Sequence, residues 1–110
     1  MAEFDISRAG DTLSVVLTGN LTTAMIPELK IQLLKCLESP TAQMIVDLSY
    51  TNIVDSSGIG LLIAAYNSIT AKNGTIKVIN VNEEIMRLLT SMRLDQRLNA
   101  NRRDQMETAS

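Results

Sequence analysis

The chain has 110 residues, of which 45% are hydrophobic, and its 10 Lys and Arg against 12 Asp and Glu give a formal net charge of −2. One domain of this length can fold without disulfides or metal ions, and a single Cys with no His excludes an internal disulfide, a Cys/His zinc site and catalysis by an imidazole base. The slight negative charge and 3% aromatic residues argue against nucleic acid as a partner, while the absence of a long apolar run predicts a cytoplasmic protein without membrane insertion.

The N-terminal half predicts a hairpin followed by a helix. Residues 4–7 and 12–18 have strand character, since apolar and polar residues alternate in the second segment, and a Gly-Asp turn separates the two. A helix begins after Thr22 or Thr23 and ends before Pro40. Residues at spacings of three and four form its predicted apolar face: Ile26, Leu29, Leu33, Leu34 and Leu37.

Strands and helices alternate in the C-terminal half. Residues 44–48 form a short apolar run rich in β-branched residues, which indicates a central strand covered on both faces. Helical spacing of apolar residues extends from Ile59 to Lys72. Residues 75–81 then predict a strand, and Asn82 is placed to cap a last helix.

This order predicts one α/β domain with a mixed sheet of four to five strands and helices mainly on one face. We place the domain at residues 1–98. Residues 99–110 are mostly polar and predict a frayed C-terminal tail. Because Arg103 belongs to this tail, its substitution by Ala is expected to leave the fold undamaged, whereas Leu62→Asp is expected to damage it.

Residues 55–60, with the sequence DSSGIG, are the candidate functional site. They place two hydroxyls and two glycines where a strand gives way to a helix that opens close to Ser56 or Ser57. We expect Asp55 or Ser57 to cap this helix and Ser56 to be exposed within its first turn, where the unpaired N–H groups tolerate a phosphoryl group. Ordinary capping without any further role is the alternative interpretation. The segment lacks glycines required by a nucleophile elbow or a dinucleotide-binding loop.

The stretch IVDLSYTNIVDSSGIGLLIAAYNSI resembles the signature of STAS domains of the anti-sigma factor antagonist type. In that signature, a strand of the form VDL is followed by a DSSG[LI]G turn and an apolar helix. The segments LTGNL, GTIKVINVNEEIMRLL and RLDQRL extend the resemblance over about residues 4–98.

The resemblance implies a regulatory protein that is not an enzyme. We also expect no metal or other cofactor. In this family the serine directly after the Asp, here Ser56, is phosphorylated by a partner that is both a serine kinase and an anti-sigma factor. A PP2C-type phosphatase reverses the modification. The unphosphorylated antagonist binds the kinase and frees the sigma factor, and the phosphorylated form is released. Asp55, Ser57, Gly58 and Gly60 match the rest of the family's turn.

Three positions depart from the common family pattern. Thr22 stands where many relatives carry an acidic residue, Met25 stands where they carry a Thr, and Ile26 stands where Ala is common. The resemblance places this surface near the switch serine and assigns Thr22 and Met25 to the partner surface.

Two other functions stay open from the sequence. The chain can be a STAS scaffold or an accessory subunit of a signalling or transport complex, in which the turn is structural and no kinase acts on it. It can also be a hydrolase that uses Ser56 as nucleophile, which requires a base such as Lys72 or Asp55 within reach.

Overall fold

The computed structural model describes residues 3–103, in which strands and helices follow the predicted order. The elements are β1 (Phe4–Ala9), β2 (Thr12–Leu17), α1 (Ile26–Cys36), β3 (Gln43–Asp47), α2 (Ser56–Ala71), β4 (Thr75–Ile79) and α3 (Glu83–Ser91). The strands form one sheet in the order β1-β2-β3-β4, in which β1 is antiparallel to β2 and the other neighbours are parallel. The predicted α/β domain with a mixed sheet is confirmed.

One face of the sheet is buried. Leu13, Val15 and Leu17 are buried on β2, and the strand register places Met44 and Val46 of β3 on the same side. All three helices contribute to the core on this side, with Leu29 and Leu33 from α1, Leu61 and Leu62 from α2, and Ile85 and Leu89 from α3.

The other face of β3 is only partly buried, so the prediction of a strand covered on both faces is wrong at Ile45. The chain order explains this difference. Since the parallel strands β2, β3 and β4 are added in sequence across the sheet, two right-handed crossovers place α1 and α2 on the same face.

The apolar face of α1 is narrower than its sequence predicts. Leu33 is buried, but the side chain of Leu34 is 54% exposed. Adjacent residues of a helix project about 100° apart, so a helix that directs Leu33 at the sheet leaves Leu34 on its flank. The prediction that Leu34 belongs to the buried face is therefore wrong.

Residues 99–103 are not a frayed tail. The N–H of Val78 donates to Leu98 O at 3.0 Å, the N–H of Asn101 donates to Val78 O at 2.9 Å, and the N–H of Arg103 donates to Val81 O at 2.9 Å. This segment satisfies the outer edge of β4, whose N–H and C=O groups would otherwise lack partners. The domain therefore extends to Arg103, and the rest of the predicted tail, residues 104–110, lies outside the described residues.

Candidate functional site

The 55–60 turn begins with the N-cap of α2. Asp55 has extended backbone angles, and its Oδ1 accepts a hydrogen bond from the Gly58 N–H at 2.9 Å. The Asp55 N–H donates to Leu21 O at 3.2 Å, next to a parallel bridge between Leu21 and Val54. The predicted cap is confirmed, and the loop after β2 fixes the position of the turn.

Thr23 binds the second carboxylate oxygen of this cap. Its N–H lies 3.1 Å and its hydroxyl 3.3 Å from Asp55 Oδ2, and the same hydroxyl is 3.0 Å from Ser57 Oγ. Hydrogen bonds stabilise the charged carboxylate and lower the pKa of Asp55 below its ordinary value. The bond from the Gly58 N–H has the largest effect, and the bonds from Thr23 add to it. From the sequence, Thr23 is predicted only as a possible start of α1. No local pattern reveals its contact with residues more than 30 positions away.

Ser56 is the first residue of α2, and its side chain is exposed as predicted. The polar contacts of the turn involve Asp55, Ser57 and Thr23, and within residues 3–103 none involves the Ser56 hydroxyl. The two adjacent serines are therefore in different environments. The Ser57 hydroxyl is half-buried and shared with Thr23, whereas the Ser56 hydroxyl faces solvent.

The two glycines of the turn differ in what surrounds them. A Cβ on Gly58 would clash with the carbonyl oxygen of Leu21 and would lie 2.9 Å from side-chain carbons of both Leu21 and Val54. A Cβ on Gly60 would meet no atom within 4 Å. Gly58 is thus needed for the close approach of α2 to the loop after β2, and Gly60 is not.

The two predicted partner-surface residues outside the turn lie at different depths. Thr22 is half-buried, and its carbonyl accepts from the Met25 N–H at 2.9 Å. Met25 is only 5% exposed and packs in the core, so its assignment to an accessible surface is wrong. The tight turn between these residues directs the Met25 side chain inward, one helical turn before the buried Leu29.

An apolar concavity of about 300 Å³ adjoins the Ser56 hydroxyl. It lies between the start of α2 and the end of α3 and is lined by Val54, Asp55, Ser56, Ile59, Leu88 and Met92. Met92, which lines this concavity, has an exposed side chain. Tyr50 and Ile53, in the loop that precedes α2, are also exposed. Ser56 therefore stands at the border between a polar cluster and an accessible apolar surface, which suits protein contact better than binding of a charged small molecule.

Comparison with known proteins identifies the family of this domain. Residues 4–100 match the STAS_2 family model, described as Mlab, STAS domain, and the protein therefore belongs to the STAS domain family. No curated protein matches the chain in sequence.

Solved structures of anti-sigma factor antagonists share the fold. A Thermotoga maritima protein assigned to this group superposes with a TM-score of 0.82 at 19% identity, covering 89% of this chain and 85% of that one. The Bacillus cell fate determinant SpoIIAA in its phosphorylated form gives a TM-score of 0.73 at 17% identity, covering 84% and 86%. A STAS domain protein of Planctomyces limnophilus gives 0.78 at 15% identity, covering 98% and 95%. At these identities the likeness establishes the fold alone.

None of the helices within residues 3–103 combines the length and the apolar composition needed to span a bilayer.

Proposed function

We propose that this protein is an anti-sigma factor antagonist. Its unphosphorylated form binds an anti-sigma factor that is also a serine kinase and thereby frees the sigma factor, and phosphorylation of Ser56 ends this binding. A PP2C-type phosphatase restores the active form. The observation that carries the proposal is the exposed Ser56 hydroxyl at the first residue of α2, free of the hydrogen bonds that engage its neighbours Asp55 and Ser57.

The chemistry suits a phosphorylation site. Transfer forms a bond between Ser56 Oγ and the γ-phosphorus of ATP and breaks the bond from that phosphorus to the bridging oxygen. ADP leaves, and the hydroxyl proton passes to a base of the kinase. The phosphoserine carries a charge of about −1.5 to −2 at pH 7, which the positive end of the α2 dipole offsets even though Asp55 is adjacent.

The fold therefore survives modification, and the partner is released for a local reason. A partner surface shaped for a neutral hydroxyl and an apolar concavity must desolvate a dianion after the transfer. Each 1.4 kcal/mol of such mismatch weakens binding about tenfold. The proposal places the protein in the cytoplasm, where the kinase has ATP.

The hydrolase alternative has little support, because neither of its bases is placed for the task. Lys72 follows the C-terminal end of α2, about 24 Å along the helix from Ser56, and its Nζ donates to Leu37 O at 2.9 Å. The Asp55 carboxylate is occupied by Gly58 and Thr23, which favour its charged form and make it a weak base.

A STAS scaffold or accessory subunit is the second candidate. The description of the matching family model favours it, since that description names Mlab and not sigma factor regulation. In that case the 55–60 turn is a structural cap, and Ser56 is never modified.

The two candidates are separated by intact-mass analysis after incubation with ATP, Mg²⁺ and each serine kinase from the same cell. We expect one phosphoryl group on the wild type and on Ser57→Ala, and none on Ser56→Ala. Ser56→Ala should stay bound to the kinase in the presence of nucleotide, and Ser56→Asp should bind weakly while melting close to the wild type. Modification of Ser56→Ala but not of Ser57→Ala would move the site to Ser57. A wild type that no kinase modifies would favour the scaffold.

A further inference from the structure

The side chain of Arg103 joins two loops at the end of the sheet that carries the 55–60 turn. Its Nη2 donates to Leu48 O at 2.7 Å and to Thr51 O at 3.2 Å, both in the loop after β3. Its Nε donates to Asn80 O at 3.2 Å, in the loop after β4. One half-buried guanidinium therefore binds three backbone carbonyls from two separate loops.

The loop after β3 leads directly to Ser56 and is held from two sides. On one side, Thr51 Oγ1 donates to Gly19 O at 2.9 Å, and the N–H groups of Asn52 and Ile53 donate to Asn20 Oδ1 at 3.0 and 3.1 Å. On the other side, the C-terminal segment holds the loop through the Arg103 side chain. Without Arg103, Leu48 O and Thr51 O lose a charged donor in a place that solvent reaches only partly.

The geometry requires arginine and not just a positive charge. A guanidinium presents several N–H groups in a fixed plane, so it can serve three carbonyls at once, whereas a Lys ammonium on a flexible chain cannot keep the same spacing. The adjacent Arg102 provides a contrast. Its exposed Nε faces the Glu83 carboxylate at 3.3 Å and none of these loop carbonyls.

We propose that Arg103 is a positioning residue for the 55–60 turn. It fixes the loop of residues 48–54 and, through it, the presentation of Ser56 and the neighbouring apolar concavity to a protein partner. The effect on a partner rests on the proposed function, whereas the effect on the loop does not.

Amide hydrogen exchange tests the structural part without any partner. In Arg103→Ala we expect the protection of the Thr51 and Asp55 amides to fall about tenfold or more, as for the loss of a hydrogen bond to a charged donor, while the amides of β2 and α1 keep theirs. Arg103→Lys should recover part of this protection, and Arg102→Ala should match the wild type. Unchanged loop protection in Arg103→Ala, or an equal loss throughout the domain, would overturn the proposal.

The kinase reaction tests the functional part. With the kinase that modifies Ser56, we expect Arg103→Ala to raise the KM for the antagonist several-fold with little change in kcat, because the loop affects docking and not transfer. Arg103→Lys should lie between Arg103→Ala and the wild type, and Arg102→Ala should behave as wild type. A KM that stays at the wild-type value although the loop has loosened would refute the positioning role. If no kinase modifies the wild type, the proposed function fails, and the exchange result still decides whether Arg103 fixes the loop.

Discussion

At the scale of single residues, the two glycines of the 55–60 turn provide a matched pair. Gly58→Ala places a methyl group against the backbone of Leu21, and such overpacking typically costs about 1–3 kcal/mol of the free energy of unfolding. Gly60→Ala meets open space within α2, where Ala is favoured over Gly by up to about 1 kcal/mol. We expect urea unfolding to show Gly58→Ala destabilised and Gly60→Ala equal to or more stable than the wild type. The reverse order would mean that α2 does not approach the loop after β2 as described.

The hydroxyl of Thr23 allows a second test at this scale. Thr23→Val removes the side-chain donor to Asp55 but keeps the Thr23 backbone N–H, and the Gly58 N–H bond remains the main cause of the lowered pKa. We therefore expect the pKa of Asp55 to rise in this variant, though not beyond its ordinary value, and to be recovered in Thr23→Ser. An NMR pH titration of the Asp55 carboxyl carbon measures both. An identical pKa in Thr23→Val and the wild type would show that the hydroxyl does not bind the cap.

At the scale of elements, the helices differ in how closely their apolar patterns match their buried faces. Leu62 on α2 is 3% exposed, whereas Leu34 on α1 is 54% exposed. Burying an unpaired carboxylate costs several kcal/mol, comparable to the whole stability of about 5–15 kcal/mol, so Leu62→Asp should not fold at 25 °C. Leu34→Asp should change the free energy of unfolding by no more than about 0.5 kcal/mol. Circular dichroism melting curves check both, and similar curves for the two variants would contradict the orientation of the helices.

The elements also show what a sequence can predict. Strand and helix order and the Asp55 cap follow from contacts within a few residues, which periodicity and cap chemistry report directly. The burial of Met25, the exposure of Leu34 and the Thr23 contact depend on how an element is rotated and what it packs against. Those facts arise only when distant segments meet. The polar composition of residues 99–103 likewise gives no sign that this segment pairs with the open edge of β4.

At the scale of the whole molecule, the C-terminal ends of β3 and β4 carry a polar network close to the 55–60 turn. Asp47, the last residue of β3, accepts from the Ser49 N–H and hydroxyl and from Asn80 Nδ2 at 3.0 Å. Partial burial favours the neutral carboxyl, but these hydrogen bonds and the charge of Arg103 outweigh it and lower the pKa of Asp47. Two carboxylates of lowered pKa, Asp47 and Asp55, thus stabilise the loops that lead to Ser56.

Acid should therefore weaken the molecule through these two groups. A carboxylate whose pKa is lower in the folded than in the unfolded chain contributes its full stabilisation at pH values above its ordinary pKa, which is 3.8 for Asp47. This stabilisation is lost as the pH falls toward the folded-state pKa. We expect the urea midpoint to hold from about pH 7 to 5 and to fall steeply between about pH 4.5 and 2. Asp47→Asn keeps the acceptor oxygen but not the charge, so it should lower the midpoint at pH 7 and flatten the fall in acid. Asp5→Asn serves as the control, because it changes the net charge by the same amount but removes an exposed carboxylate on β1. If the urea midpoint of Asp47→Asn falls with decreasing pH as steeply as the midpoints of the wild type and of Asp5→Asn, Asp47 does not stabilise the loops as an anion.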